Sequence, residues 1–254
     1  LEADGAKVLI DCGMFQGPKQ LRKLNWEPLP FRHEDVDAVV LTHAHIDHSG
    51  YLPRFVQGGF HGPVYTSPAT SELCELLLMD AAKNQERDAE RANRKGYTKH
   101  KPALPLYSSE DARDALKKFQ NRDRGRWHQA KGPIWFRFHD AGHLLGSNLI
   151  EVEIRNRQPP LRIVFSGDVG RYDGPLYHDP QPPPSCDVLI CESTYGDRDH
   201  PDVDLLESLA EVVRRSIARG GVIVMSSFAV GRAQQLIYLL QGPDPSKLFP
   251  FLPI

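Results

Sequence analysis

The sequence lacks the features that mark several protein classes. No apolar run approaches the ~18 residues that a membrane-spanning helix needs, and the mean hydropathy is −0.44. There is no internal repeat, and the apolar (40%) and charged (25%) fractions are those of an ordinary globular protein. These properties exclude an integral membrane protein, a collagen, a coiled coil and a disordered tail. The 254 residues suffice for one large or two small domains without disulfide support.

Cysteine is scarce, and its spacing suits neither a zinc finger nor a disulfide framework. The four cysteines form no C-x-x-C pair, and Cys186 and Cys191 flank a predicted strand that holds them too far apart for a disulfide. We therefore expect buried free thiols in a reducing compartment, which favours the cytoplasm. No signal peptide is visible. The chain starts at Leu1 without methionine and stops at Phe-Leu-Pro-Ile, so we expect both ends to be cut.

Positive charge is not in excess over the whole chain, whose formal net charge is −2. Residues 83–131, however, contain 14 Lys and Arg against seven Asp and Glu, so this segment carries +7 and the remainder carries −9. A phosphate-binding surface and a solvated helical face both explain such a segment, and both interpretations stay open. A second distinct segment, residues 174–184, contains five prolines and predicts a stiff surface loop.

Short apolar runs of strand type alternate with helical patterns along the chain. The predicted strands are Lys7–Ile10, Asp37–Leu41, Pro63–Thr66, Ile134–His139, Asn148–Ile154, Arg162–Ser166, Val188–Cys191 and Val222–Met225. The predicted helices are Asp47–Val56, a long helix from Pro68 that continues into the charged run Ala81–Arg94, Glu110–Phe119 capped by Ser109, Leu205–Ala218 and Ala229–Gln241. Because the strands between residues 134 and 166 have no helix between them, the pattern favours stacked sheets covered by helices over one doubly wound sheet.

Histidine is concentrated in one segment, Leu-Thr-His-Ala-His-Ile-Asp-His-Ser-Gly at residues 41–50. It follows a predicted strand, where side chains repeat every two residues, so His43 and His45 point the same way. The chain then enters a helix, which brings Asp47 and His48 to the same cavity from another direction. Three imidazoles and a carboxylate would each need a partner in a core, whereas nitrogen and oxygen donors are standard zinc ligands. The segment therefore predicts a metal site.

Further ligands are offered at the ends of other predicted strands. Asp11 ends the first strand in Ile-Asp-Cys-Gly, His143 lies between two strands in Asp-Ala-Gly-His-Leu-Leu-Gly-Ser, and Asp168 follows a strand in Phe-Ser-Gly-Asp-Val-Gly. Each has small glycine or serine neighbours that permit close backbone approach. Their shared placement makes all three candidates for the same site.

These motifs resemble a known family. HAHIDHSG, IDCG, AGHLLGS and SGDVG are similar to the motifs of the metallo-β-lactamase fold, while CESTYGDR (191–198) and SFAVGRAQQL (227–236) resemble the β-CASP branch of nucleic-acid-processing nucleases. The resemblance implies a mixed α+β or α/β fold, a partial αββα sandwich. Residues 1–203 would be the first part of the metallo-β-lactamase domain, without its opening strands. Residues 204–254 would be the start of a truncated β-CASP insertion.

The resemblance also implies two zinc ions and their ligands. Two metal ions ~3.5–4 Å apart can deprotonate a bridging water and stabilise both the attacking and the leaving oxygen of a phosphodiester. The implied ligands are His43, His45 and His143 for one ion, Asp47 and His48 for the other, and Asp168 as the bridge. The family completes the second site with a later histidine motif, which these residues do not reach, so we expect that site to be incomplete here.

Two more residues receive roles from the resemblance. Asp11 would orient a ligand or the bridging water by hydrogen bonding. Glu192 matches the first acidic motif of the branch, which lies beside a histidine thought to assist the leaving group. Neither His178 nor His200, the remaining histidines after His143, has the context of that motif. The candidate catalytic residues are thus Asp11, Asp47, Asp168 and Glu192.

The implied function is a zinc-dependent ribonuclease that hydrolyses phosphodiester bonds with a metal-activated water. Single-stranded RNA would be the partner, no membrane is involved, and a homodimer of the full-length protein is left open. Two alternatives stay open: a thioester or lactone hydrolase with the same ligands, and a non-catalytic RNA-binding paralogue. Every ligand position within the chain is filled, which disfavours the paralogue. Endonuclease versus exonuclease, the particular RNA, and RNA versus DNA are not separated by these residues.

Overall fold

The computed structural model describes residues 1–199 and 203–241, which form two compact units. The first unit comprises Leu1–Tyr172 and His178–Glu192, and the second comprises Asp173–Tyr177 and the chain from Ser193 onward. No helix among the described residues is both long and apolar enough to cross a membrane. His200 and residues 242–254, the last part of the segment assigned to an insertion, lie outside the described residues.

The first unit contains all ten strands of the described chain, and helices occur in both units. The strands are Glu2–Ala3 (β1), Ala6–Ile10 (β2), Ala38–Val40 (β3), Val64–Thr66 (β4), Phe119–Asn121 (β5), His128–Lys131 (β6), Ile134–Asp140 (β7), Asn148–Ile154 (β8), Leu161–Phe165 (β9) and Val188–Ile190 (β10). The helices are Lys19–Leu24 (α1), Ile46–Ser49 (α2), Leu52–Gln57 (α3), Pro68–Lys95 (α4), Ser109–Leu116 (α5), Leu205–Ala218 (α6) and Arg232–Gln241 (α7), with a 3-10 turn at His33–Asp35.

The first sheet has the strand order β1-β2-β3-β4-β5. β1 and β2 are antiparallel, whereas β2 to β5 run parallel to one another. Because parallel strands end at the same edge, the residues that follow β2 and β3 meet there. This edge therefore brings Asp11 next to the histidine-rich segment, and the amide of Asp11 donates to the carbonyl of Val40 at 3.0 Å.

The second sheet has the order β10-β9-β8-β7-β6, in which only β10 and β9 are parallel. The pair Asp140 and Asn148 closes the β7–β8 ladder at the edge where β9 also ends. The loop that carries His143 and the residues leading to Asp168 therefore leave the sheet on one side. Each sheet thus supplies part of one site.

Apolar side chains from both sheets form the core between them. Val8 and Val40 of the first sheet belong to one cluster with Phe136, Ile150 and Ile163 of the second. Burial of a large aliphatic or aromatic side chain contributes about 1.5–3 kcal/mol, so this cluster supplies much of the stability. A second cluster joins the other face of the first sheet to helices α3, α4 and α5. It contains Val39, Val64, Phe55, Leu78, Tyr107 and Ala112. The prediction of stacked sheets with covering helices is confirmed.

Two sequence predictions about helices were wrong in detail. The predicted helix Asp47–Val56 is two short helices, because the chain turns at Gly50 and Pro53 lies in the first turn of α3. Helix α5 is capped by Ser108, not Ser109: the Ser108 hydroxyl accepts from the amide of Asp111, whose carboxylate accepts from the Ser108 amide in return. The helix then ends at Leu116, and Phe119 begins a strand.

The predicted strand Val222–Met225 was also wrong. The segment has no strand partner among the described residues, and Val222 and Val224 are 92% and 89% exposed. A continuous apolar run such as Val-Ile-Val-Met cannot make a strand without a neighbour to complete its hydrogen bonds. The cysteines are all free as expected, but only Cys12 and Cys74 are buried, whereas Cys186 is half-buried and Cys191 is exposed.

Candidate metal centre

The centre is built where β2 of the first sheet meets the segment after β3. The amides of Cys12 and Met14 donate to the carbonyls of His48 and Ile46 at 2.7 and 3.0 Å. Gly13 makes this approach possible: a Cβ atom at this position would lie 1.5 Å from the carbonyl oxygen of Asp47. Glycine in Ile-Asp-Cys-Gly therefore lets one backbone lie directly against the other.

Four side chains offer ligand atoms that all lie within 4.8 Å of one another: His43, His45, His143 and Asp168. His45 Nδ1 lies 3.1 Å from His43 Nε2 and 3.3 Å from His143 Nε2. Asp168 Oδ2 lies 3.4 Å from His143 Nε2 and 3.7 Å from His43 Nε2. Three imidazole nitrogens and a carboxylate oxygen that converge in this way match the donor set and number of a tetrahedral zinc site.

The protonation of these histidines suits a metal. Burial, followed by the positive charge of His48, lowers the pKa of the fully buried His43 well below its usual value. Burial likewise lowers the pKa of His143. Neutral imidazole is the form that donates a lone pair to a metal, so these two side chains are prepared as ligands.

His48 lies between two carboxylates next to this group. Its Nδ1 is 2.7 Å from Asp11 Oδ2, and its Nε2 is 3.2 Å from Asp168 Oδ1. Burial acts to lower the pKa of His48, but the hydrogen bonds to Asp11 and Asp168 outweigh it and raise the pKa to about 10. For Asp168, burial acts to raise the pKa, but the hydrogen bond from His48 and nearby imidazoles hold it well below the usual range.

Asp168 connects the two groups, because one carboxylate oxygen faces His43 and His143 while the other faces His48. Asp47 lies at the outer side: its Oδ2 is 3.9 Å from His48 Nε2, and more than half of its side chain is exposed. The structure therefore brings all six expected ligands to one place. It arranges them as a compact group of four and a looser pair.

The carboxylate of Asp11 forms hydrogen bonds with two residues of the histidine-rich segment, Thr42 and His48. Its carboxylate accepts from the Thr42 amide at 2.7 Å, the Thr42 hydroxyl at 2.8 Å and His48 Nδ1 at 2.7 Å. Its φ of 59° lies in the left-handed region, which is uncommon for a residue other than glycine. Asp11 thus fixes the ring of His48, which is the geometry expected of an orienting residue.

Glu192 does not belong to the group of four. Its Oε1 accepts from the amide of Val169 at 2.8 Å, and its own amide donates to the Ser166 hydroxyl at 3.0 Å. These bonds fix the backbone on both sides of Asp168. His178 contributes a backbone carbonyl near Gly142 and no side chain to the group, and His200 lies outside the described residues.

Several supporting residues were not foreseen from the sequence. The Ser147 hydroxyl accepts from the amides of His143 and Leu144, each at 3.1 Å, and so shapes the His143 loop. The hydroxyls of Ser67 and Thr70, at the start of α4, both donate to the carbonyl of Gly146. Ser147 is the last residue of the AGHLLGS motif, so the sequence could have indicated its role. The contact from α4 depends on tertiary structure and could not have been found in this way.

The sandwich of two sheets and the histidine–aspartate group at its edge define a class of metal-binding protein. The family model "Metallo-beta-lactamase superfamily" matches residues 1–206, and the chain belongs to this superfamily. The resemblance to the metallo-β-lactamase fold and its β-CASP branch, which was inferred from the motifs, is therefore confirmed.

The curated relatives include a ribonuclease and a transcription termination factor. "Ribonuclease TTHA0252" of Thermus thermophilus is 36% identical over 241 residues, covering 94% of this chain and 50% of the relative. "Transcription termination factor FttA" of Methanosarcina mazei is 31% identical over 260 residues, covering all of this chain and 38% of the relative. Among solved structures, "Rm3 metallo-beta-lactamase" aligns with 68% of this chain and 56% of its own at 21% identity and a TM-score of 0.39. The chain thus spans half or less of these curated relatives.

Proposed function

We propose that this chain carries the metal centre of a zinc-dependent ribonuclease that hydrolyses phosphodiester bonds of single-stranded RNA in the cytoplasm. The observation that carries the proposal is the convergence of three histidines and a bridging aspartate in a chain that is 36% identical to a ribonuclease over 94% of its length. The sequence resemblance to the β-CASP branch adds the second unit, which we assign to the start of the inserted domain.

The residues present fit zinc. Histidine and carboxylate donors are borderline-soft and hard ligands that zinc accepts in tetrahedral sites. His43, His45 and His143 would hold one ion and Asp47 with His48 the other, while Asp168 would contact both. Bound zinc ions supply Lewis acidity, which activates a water and stabilises negative charge on phosphoryl oxygens.

The protein's own groups set up this chemistry. Thr42 Oγ1 lies 3.0 Å from His43 Nδ1 and so leaves Nε2 free to face the centre. Asp11 accepts from His48 Nδ1 and so directs Nε2 toward the centre, where a bound metal would take the place of the Nε2 proton. Glu192 positions the Asp168 segment through the amide of Val169. The exposed side chain of Asp47 marks the open side, from which a phosphodiester would enter.

A thioester or lactone hydrolase with the same ligands remains the second candidate function. The names of the relatives support RNA over these substrates, because both the bacterial and the archaeal proteins are named for processes that act on RNA. A non-catalytic paralogue is disfavoured, since all six ligand positions carry side chains that can bind metal.

The test combines metal analysis with cleavage of labelled RNA by the purified protein. We expect about two zinc ions per chain in the complete protein, cleavage that a chelator abolishes and zinc restores, and no cleavage of a thioester or lactone. His45→Ala and Asp168→Ala should each abolish cleavage with a retained fold. His61→Ala, at an exposed histidine that lies outside the proposed ligand set, serves as the matched control and should cleave normally.

Three results would contradict the proposal: a protein without zinc, full activity of Asp168→Ala, or turnover of a thioester in place of RNA. Circular dichroism of each variant separates loss of the centre from loss of the fold.

A further inference from the structure

Helix α4 begins at the metal centre and leads away from it. The hydroxyls of Ser67, which caps the helix, and of Thr70, in its first turn, both donate to the carbonyl of Gly146 in the His143 loop. The helix has 28 residues, which at 1.5 Å per residue makes it about 42 Å long. Its second half therefore lies well outside the centre but is rigidly connected to it.

A row of basic side chains follows the second half of α4. Lys83, Arg87, Arg91 and Lys95 are spaced by four residues, so they lie on one side of the helix and about 6 Å apart along its axis. All four are exposed. The opposite side of the helix packs on the protein and carries the buried residues Cys74, Leu78, Ala82, Ala89 and Ala92. We call these four residues the basic row.

No carboxylate of the described residues (1–199 and 203–241) forms an ion pair within 4.0 Å of the basic row. The interleaved Glu86 is engaged elsewhere: its two oxygens accept from the amide and the hydroxyl of Ser109, each at 2.7 Å. Those hydrogen bonds also lower the pKa of Glu86. Local pairing along the helix, the simplest explanation of the mixed charges, is therefore not what the side chains do.

The helix dipole does not explain the row either. Cations stabilise a helix only within its last turn, and Lys95 is placed to do so. Lys83 and Arg87 lie two to three turns earlier, where this effect has vanished. Their positive charges stay available for an external anion.

The segment after the helix adds an aromatic side chain. Gly96 ends α4 in the left-handed conformation, and Tyr97 follows with 67% of its surface exposed. Lys99 and Lys101 come next in the same exposed loop. Cations that follow a backbone, next to an exposed ring on which a base can stack, are the elements of single-strand binding.

We propose that the basic row and Tyr97 form a binding surface for the sugar–phosphate backbone of single-stranded RNA at a distance from the bond that is cut. The proposal rests on the proposed function, because it assumes that the centre cleaves RNA. Lys83 and Lys95 lie about 22 and 40 Å along the helix from Pro68. At ~3.4 Å per stacked nucleotide, the surface is reached by RNA that extends roughly 6 to 12 nucleotides beyond the centre.

The experiment compares two charge-matched double variants on long and short RNA. Arg87→Glu with Arg91→Glu alters the row, and Lys23→Glu with Arg157→Glu makes the same charge change at two exposed side chains, in α1 and in the turn after β8, that form no ion pair within 4.0 Å among the described residues. Binding of labelled 20-nucleotide and 5-nucleotide single-stranded RNA is measured by fluorescence anisotropy at several salt concentrations. Zinc content and cleavage of the 5-nucleotide RNA are measured in parallel.

Loss of two phosphate contacts should flatten the log–log salt dependence for the 20-nucleotide RNA by about 1.4 and weaken binding roughly 10- to 30-fold at ~0.1 M salt. The control variant should bind almost as well as the wild type. Tyr97→Ala should weaken binding of the long RNA at least about fivefold with little change in the salt slope, since stacking carries no charge. Zinc content and cleavage of the 5-nucleotide RNA should not change in any of these variants.

The outcomes separate the inference from the proposed function. Unchanged affinity and slope in the row variant would overturn the inference and show a merely solvated helix. Equal losses in the row variant and the control would overturn it in favour of net charge, and an equal loss on the short RNA would overturn it in favour of a disturbed centre. If the wild type cleaves neither RNA, the proposed function itself is wrong.

Discussion

Replacing Asp11 by asparagine tests whether the carboxylate that holds the ring of His48 determines the zinc affinity of the centre. The change keeps the size of the side chain, and asparagine tolerates the left-handed backbone at this position. It replaces one acceptor oxygen with a donor. Because Thr42 and His48 together direct three donors at the carboxylate, either orientation of the amide places a donor against a donor.

The expected losses of stability and of zinc affinity follow from these hydrogen bonds. A hydrogen bond to a charged group contributes about 1.5–3 kcal/mol, so we expect the metal-free variant to lose about that much stability. The His48 ring also loses the partner that fixes its tautomer, and changes of such partners typically lower metal affinity about 10- to 100-fold. The loss should fall on the ion held by His48, and the group of His43, His45 and His143 should keep its affinity.

The assay is a zinc competition titration against a chromophoric chelator, which resolves the tighter and weaker ions, combined with thermal unfolding in excess chelator. Asp11→Ala is the companion variant: it removes all three bonds and also strains the backbone, so it should unfold at a lower temperature than Asp11→Asn. Equal zinc affinity in the wild type and in Asp11→Asn would refute the reasoning, because the ring of His48 would then be oriented without Asp11.

Three further predictions follow from the same site. Gly13→Ala should displace the Asp47 carbonyl and abolish zinc binding, whereas Gly221→Ala, whose Cβ would lie 3.3 Å from its nearest neighbour, should not; metal analysis decides. Glu192→Gln keeps an acceptor for the Val169 amide and should keep most of the kcat that Glu192→Ala loses; equal losses in steady-state kinetics would show that the charge is what matters. Ser147→Ala should weaken zinc binding about tenfold by releasing the His143 loop, and titration of an unaltered affinity would contradict this.

Much of the metal centre could be predicted because most of its ligands lie in short motifs whose spacing along the sequence indicates their geometry. The spacing of His43, His45 and His48 relative to a buried strand determines their directions, and glycine next to Asp168 indicates close approach. The stacked arrangement of the sheets could also be predicted, since strands without intervening helices leave few alternatives.

What could not be predicted depends on partners that are distant in sequence. Glu151 is almost fully buried on β8, where it accepts from Arg137 and His139 of β7. That cluster follows from the register of the two strands, which an apolar pattern does not specify for charged residues. Strands β5 and β6 were missed for a related reason: Phe-Gln-Asn and His-Gln-Ala-Lys show no clear apolar alternation, and pairing with a neighbour makes them strands.

The division of ligands between two sheets has a consequence for folding. His43 follows a strand of one sheet, and Asp168, 125 residues later, follows a strand of the other. Contacts over such sequence distances form late, so the centre should be among the last parts of the protein to assemble. A ligand that binds only the native state stabilises it by about 2.7 kcal/mol at a concentration of 100 times Kd. Bound zinc would then hold the two sheets together, and its removal should accelerate hydrogen exchange first at the amide of Asn148, which donates to the carbonyl of Thr42 between the two sheets.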